Sequence, residues 1–242
     1  MKDFSLVAIY DQLWKAALAH VKSRGFDHDP LIDSPLDHRY GITLLIRPRK
    51  EVNDAVQNFL SLVKMIEPEH YFYPNPDIHV TVMPIISCYE GFQLRQINPQ
   101  EYIDLLKSCL EGLPPFSIEF RGVTASPSCI LIKGFPLDDT LESIRNRLRT
   151  AFKDSQLEQS LDKRYALQTA HSTVIRFKQP VRNQTAVLEQ LDQFRDFYFG
   201  QFEVRELELV FNDWYQREEK VQRLYTFRLG ENKATFSQRN TI

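Results

Sequence analysis

Apolar residues recur at helical spacing over residues 3–23, with Leu6, Ile9, Leu13, Trp14, Ala17, Leu18 and Val21 among them. Arg24-Gly25 supplies the expected stop. Apolar positions fall around too much of this helix to choose a buried face. Residues 26–38 are rich in Asp and Pro and read as an irregular connector. From Tyr40 onward the period switches repeatedly between two and 3.6. A strand (41–47) precedes a helix (51–65). An aromatic and Pro-rich loop (71–76) then leads to a strand carrying His79. Residues 86–98 read as a loop, followed by a helix over 99–110 with Asn98 as N-cap and Pro99 at its first position. A strand over 116–123 completes the set. The order then restarts: strand 129–134, helix 138–153, a strand carrying His171, helix 185–197, strand 202–211, and a closing strand 221–229.

The arrangement strand, helix, His-bearing strand, helix, strand therefore occurs twice, with the two histidines 92 residues apart by number. The predicted class is α+β: two pseudo-symmetric α/β lobes with antiparallel-rich sheets flanking a central cleft, plus an N-terminal helix. Residues 1–38 form the helix and connector. Residues 39–242 form the bilobal domain, with repeats at about 40–125 and 128–229. Ligands usually bind in clefts of this kind.

Composition narrows the function. The chain is 43% hydrophobic and 26% charged, which is ordinary for a soluble globular protein able to bury a core. Thirty basic residues against 32 acidic give a net charge of −2. That is too little positive charge to hold long nucleic acid by counterion release. A small nucleotide or an RNA end needs only a few local donors. Three scattered cysteines with no CxxC pair read as free thiols in a reducing compartment. No stretch reaches the length of a membrane span and no secretory signal opens the chain, so the expected location is the cytoplasm and no membrane partner is expected. No protein partner is inferred. Eight dispersed glycines form neither GxGxxG nor GxxxxGK, so side chains or helix N-termini must bind any phosphate.

Two strings carry the candidate chemistry: His79-Val80-Thr81-Val82 and His171-Ser172-Thr173-Val174. On a strand, residues i and i+2 share a face, about 7 Å apart. Each string thus offers one imidazole beside one hydroxyl. Two such pairs facing each other would surround a phosphate with two proton-transfer groups and two neutral donors.

Paired H-Φ-T-Φ strings, Φ being usually apolar, on equivalent strands of two α/β lobes resemble the two-histidine (2H) phosphoesterase superfamily. Its members include 2′-5′ RNA ligase-like proteins and 2′,3′-cyclic nucleotide phosphodiesterases. The resemblance covers about residues 40–229. Ser172 departs from the pattern, being polar where an apolar residue is usual, but it should face away from the cleft.

The resemblance implies metal-independent hydrolysis of a 2′,3′-cyclic phosphate or 2′-5′ linkage, with no metal and no organic cofactor. It implies His171 as base and His79 as acid, with Thr81 and Thr173 binding the phosphate oxygens. Three alternatives stay open: a non-catalytic nucleotide-binding domain of the same fold, RNA 2′-5′ ligation, and an α/β protein with unrelated sugar or metabolite chemistry in which the histidine pairs are packing.

Other residues weigh less. Tyr73, in the aromatic loop before the first string, is a candidate for stacking on a base; the bland reading is packing beneath the loop. Arg176, five residues after His171, has opposite parity and belongs on the outer face of a straight strand, though a bulge would redirect it. His28 and His38 stand among Asp27, Asp29, Asp33 and Asp37. Those residue types ligate metals, but their spacing fits no ligand pattern, and Asp with Pro is ordinary turn chemistry. His20 and His70 read as structural or solvated.

Overall fold

A computed structural model describes residues 2–163 and 166–230. In chain order its regular elements are α1 (Lys2–Arg24), β1 (Arg39–Ile46), α2 (Lys50–Ile66), β2 (Tyr71–Phe72), β3 (Val80–Glu90), α3 (Pro99–Leu110), β4 (Phe116–Ser126), β5 (Cys129–Pro136), α4 (Thr140–Asp154), β6 (Ser172–Arg176), α5 (Gln184–Gln193), β7 (Tyr198–Val204), β8 (Glu206–Asp213) and β9 (Gln222–Arg228). The class is α+β with two antiparallel sheets, as the periodicity predicts. One sheet has the order β3-β1-β8-β9 and the other β2-β6-β5-β4-β7.

Neither sheet is made from one half of the chain. β4, from the first half, pairs with β5 and β7 in the second sheet. β8 and β9, from the second half, extend the first sheet beyond β1. Each half therefore lends strands to the other lobe, and a cut near residue 126 would not separate the sheets.

Helix α2 shows why these segments fold as they do. Val52, Val56, Phe59, Leu60 and Val63 form one stripe, and all are buried. The stripe lies against β7, where Phe59 meets Phe199 with ring centroids 6.0 Å apart. Each such side chain contributes roughly 1.5–3 kcal/mol by leaving water. Helix α3 has the predicted bounds because its cap is chemically specified: the Asn98 side chain accepts from the Gln100 amide and Pro99 follows.

Two expectations fail locally. Residues 202–211 are two strands in different sheets, not one. The buried positions show the break: Phe202 and Val204 are buried, then the phase flips to Leu207 and Leu209 across Arg205. Residues 86–90 continue β3 and are not loop, because they pair with the start of β1.

The N-terminal helix α1 packs on β4 and β5, with Ala17 and Val21 in the core. The Asp-rich connector is organised by Arg39, whose guanidinium donates to Asp37 at 2.7 Å and Asp29 at 3.1 Å. Those carboxylates are thus engaged in the connector's own packing. No helix among the described residues is long and apolar enough to cross a membrane.

Candidate active site

His79 stands just before β3 and His171 just before β6. Both line one cavity of about 260 Å³, together with Thr81, Thr173, Tyr73 and Arg176. It is also lined by Thr43, Ser87, Ser160, Asn212, Trp214 and Gln216. A larger hollow of about 490 Å³ beside α4 contains no histidine.

A repeated backbone irregularity shapes the cavity. In β3, Thr81 pairs with Leu45 and Met83 with Leu44, so Val82 is an extra residue. In β6, Thr173 pairs with Leu131 and Ile175 with Ile130, so Val174 is the extra residue. A bulge of this kind resets which side chains face which way. Val82 and Met83 are both buried in the core, as are Val174 and Ile175. The next residue in each strand then turns back to the cavity: Pro84 in β3 and Arg176 in β6. This corrects the straight-strand expectation for Arg176. It does not sit on the outer face.

Tyr73 is also reassigned. It is 1% exposed, and it packs edge-on against Tyr71 with centroids 4.9 Å apart. No ring face is available at the rim for a base. Its hydroxyl instead accepts from Arg176 Nε at 3.1 Å, and its amide donates to Val174 O at 3.0 Å. Tyr73 thus fixes both the bulge and the guanidinium behind it. Among the described residues, Trp214, in the turn after β8, is the aromatic that lines the cavity without being fully buried. Arg39 lies 5.0 Å from its ring centre.

Each imidazole is held by its Nδ1. His79 Nδ1 lies 2.7 Å from the carbonyl of Asp77. A carbonyl only accepts, so that nitrogen carries a proton and Nε2 is left for the cavity. His171 Nδ1 lies 2.7 Å from Thr169 Oγ1. Burial pushes His79 down to about 3, helped by the charge of Arg47 and opposed by the Asp77 carbonyl. Burial, with the charges of Arg145 and Arg176, pushes His171 down to about 4. Both rings are neutral at pH 7.

Arg145 ties the two motif segments together. It is 4% exposed, and burial lowers its pKa to about 10, so it stays charged at neutrality. Its guanidinium donates to Val82 O at 3.0 Å and Thr81 O at 3.0 Å in β3, and to Thr169 O at 2.8 Å before His171. One side chain from α4 thereby clamps the first bulge to the approach of the second histidine. Nothing local in the sequence marks Arg145 or Trp214 as neighbours of the site, whereas Thr169 stands two residues before His171.

Other histidines lie elsewhere. His20 meets Asp27 at 2.9 Å, and His70 is buried edge-on against Phe177 with Glu67 at 3.6 Å.

The family model of the 2′-5′ RNA ligase superfamily matches residues 52–213, about two thirds of the chain. No curated protein matches. Among solved structures, TT0787 of Thermus thermophilus is similar over 78% of this chain and 97% of its own, at 16% identity and a TM-score of 0.56. E. coli LigT complexed with 3′-AMP is similar over 80% of this chain and 99% of its own, at 14% identity and a TM-score of 0.55. At such identities the structural likeness speaks for the fold, and the sequence match speaks for the family. Paired histidine and threonine strings and the family match over most of the two sheets agree: this chain belongs to the 2′-5′ RNA ligase superfamily, the 2H phosphoesterases.

Proposed function

We propose that the protein hydrolyses a 2′,3′-cyclic phosphate or a 2′-5′ linkage of a small nucleotide or RNA end, without a metal, using His79 and His171 as its proton-transfer pair. The observation that carries this reading is the company Arg176 keeps. Its guanidinium lines the same cavity as both imidazoles, and among the described residues its hydrogen bond goes to a tyrosine hydroxyl, not to a carboxylate. A desolvated guanidinium with spare donors is a site for an anionic oxygen.

In the proposed step, water attacks phosphorus and His171 Nε2 takes its proton. The bond from phosphorus to the ribose oxygen breaks, and the imidazolium of His79 protonates that oxygen. The order is the one the family resemblance implies: burial and cationic neighbours hold both rings down, His79 further than His171, and the Asp77 carbonyl is the one influence that raises His79. A bound phosphate supplies the negative charge that allows His79 to protonate. Thr81, Thr173 and Arg176 donate to the non-bridging oxygens, where charge develops in the transition state. Trp214 is placed to meet the nucleoside.

A cavity of about 260 Å³ suits one nucleotide, near the lower end for ligand pockets. LigT has been crystallised with 3′-AMP and with ATP, which supports a small-nucleotide ligand for this fold. The net charge of −2 favours hydrolysis of a small substrate over joining of long RNA. A panel of 2′,3′-cyclic mononucleotides and 2′-5′ dinucleotides, assayed with wild type and H79Q/H171Q, tests the reading. Turnover of at least one class by wild type alone supports it. Binding without turnover across the panel would leave a nucleotide-binding domain in its place.

A further inference from the structure

We infer that the site selects a nucleobase with an exocyclic amino group, adenine or cytosine, through two side-chain amides, Asn212 and Gln216, that stand on either side of Trp214 in the chain. The inference rests on the proposed function and deepens it from a small nucleotide to a class of base.

Both amides line the cavity that holds the histidines, and both are buried, Asn212 at 2% exposure and Gln216 at 5%. Yet Asn212 Oδ1 and Gln216 Oε1 accept no hydrogen bond from the described residues. A buried oxygen left in that state costs free energy, and two of them lining one cavity call for a ligand that donates. The orientation of the Asn212 amide is fixed. Its Nδ2 donates to the Asp213 carbonyl at 2.8 Å and meets Cys88 Sγ at 3.5 Å. A carbonyl only accepts, so the nitrogen must lie on that side and the oxygen keeps the other position. The same Asp213 carbonyl accepts from the Gln216 backbone amide at 3.3 Å. The Asp213 carboxylate accepts from Arg217 N at 3.0 Å and Arg217 Nε at 2.7 Å. One residue thereby builds the turn that carries Trp214 between the two amides. Gln216 sits in it at φ 64°, a left-handed conformation uncommon for such a residue. Strain of this kind persists only where the surrounding structure imposes it, and here it accompanies a side chain turned to the cavity.

The strand register sets the distance from the histidines. Thr81 lies opposite Leu45 on one side of β1, and Asn212 lies opposite Gly41 on its other side. The four residues from Leu45 to Gly41 separate those levels by about 13 Å at the rise of a strand. That is of the order of one mononucleotide, from phosphate to the outer edge of its base. With the phosphate at Thr81, Thr173 and Arg176, the base edge falls toward the amides. The donor requirement then chooses among bases. Adenine and cytosine carry there an amino group with two N–H donors. Uracil, guanine and hypoxanthine carry a carbonyl oxygen in the same place, and an oxygen set against a buried oxygen leaves both unpaired. A site with buried groups of this kind discriminates strongly against an analogue that lacks the matching donor.

The test changes the ligand first, because that needs no variant to fold. The full chain is given the 2′,3′-cyclic phosphates of adenosine, inosine, purine riboside, cytidine and uridine. Calorimetric titration with the matching 2′-monophosphates reads binding without turnover. Adenosine should exceed inosine and purine riboside, and cytidine should exceed uridine, by roughly ten- to a hundredfold in kcat/KM and in affinity, the worth of a specific base contact. Gln216→Met keeps the length of the side chain and removes its polar atoms, and Asn212→Leu does the same at the other amide. Each should draw the adenosine and inosine values together. Equal values for adenosine, inosine and purine riboside in the wild type would overturn the inference while the proposed function stands. So would a preference for adenosine that is undiminished in both variants. Binding with the stated preference but no hydrolysis would uphold the inference and overturn the proposed function, and nucleotides that neither bind nor turn over would overturn both.

Discussion

Arg176 and Pro84 occupy the same place in the two motif strands: each lies five residues after its histidine, each follows a bulged valine, and each lines the cavity. The site is therefore symmetric in its histidines and threonines and asymmetric in its charge. Among the described residues lining the cavity, Arg176 on the β6 side is the one guanidinium, and in the proposed mechanism it seats the phosphate and sets the direction of attack.

Arg176→Met should weaken binding of inorganic phosphate and of cyclic nucleotides by about 10²-fold, since removing one partner of a buried charged contact is expensive. Arg176→Lys should recover only part of this, because an ammonium cannot bridge Tyr73 and phosphate with the same planar fork. Calorimetric titration with phosphate checks both. Equal affinity in R176M and wild type would remove Arg176 from anion binding.

The depressed histidines make anion binding a proton-coupled event. Burial holds His79 near 3 and His171 near 4. A bound phosphate stabilises the imidazolium and raises these values, so the protein takes up protons as the anion binds. Affinity should fall as pH rises from about 5 to 8, and the binding heat should vary with buffer ionisation enthalpy. Binding that is flat with pH and independent of buffer would contradict this.

The same shifts set a stability slope. Unfolded histidine titrates near 6.5, while the folded values lie at about 3 and 4. Between those limits the unfolded chain binds protons that the folded chain does not. The contribution is fully present above pH 6.5 and is lost as pH falls through 4 toward 3, on the order of a few kcal/mol in total. Urea midpoints should drop from pH 7 to pH 4.5, and the drop should be shallower in H79Q/H171Q and in the presence of phosphate.

How much of this was legible in the sequence depends on whether the signal is local. Asn98-Pro99 specifies its own cap, so α3 begins where the residues say it does. His79 with Thr81 and His171 with Thr173 are i, i+2 pairs, and alternation puts each pair on one face. The bulges are different. Val174 looks like any strand valine, and only its pairing with β5 shows that it is extra. Parity alone therefore sent Arg176 to the wrong side. The phase change between Val204 and Leu207 was visible but is weak without knowing that β7 and β8 join different sheets. Arg145 and Trp214 reach the site or its supports from distant elements, and sequence spacing carries no information about such convergence.

Trp214 should govern the nucleoside and not the phosphate. Trp214→Ala should raise KM for a cyclic mononucleotide about tenfold, in line with the worth of one stacked base, and leave phosphate affinity within a factor of two. Comparable losses for both ligands would place Trp214 in support of the turn it occupies and not against the base.

The most direct measurement is kcat/KM on a 2′,3′-cyclic mononucleotide for wild type, H79A, H171A and the double variant, all in EDTA. The two histidines are expected to act as one unit on one phosphate. Each single change should therefore cost about 10²–10⁴-fold, and the double change should cost far less than the product of the two. Near wild-type rates in either single variant, or activity that disappears in EDTA and returns with a divalent ion, would contradict the account.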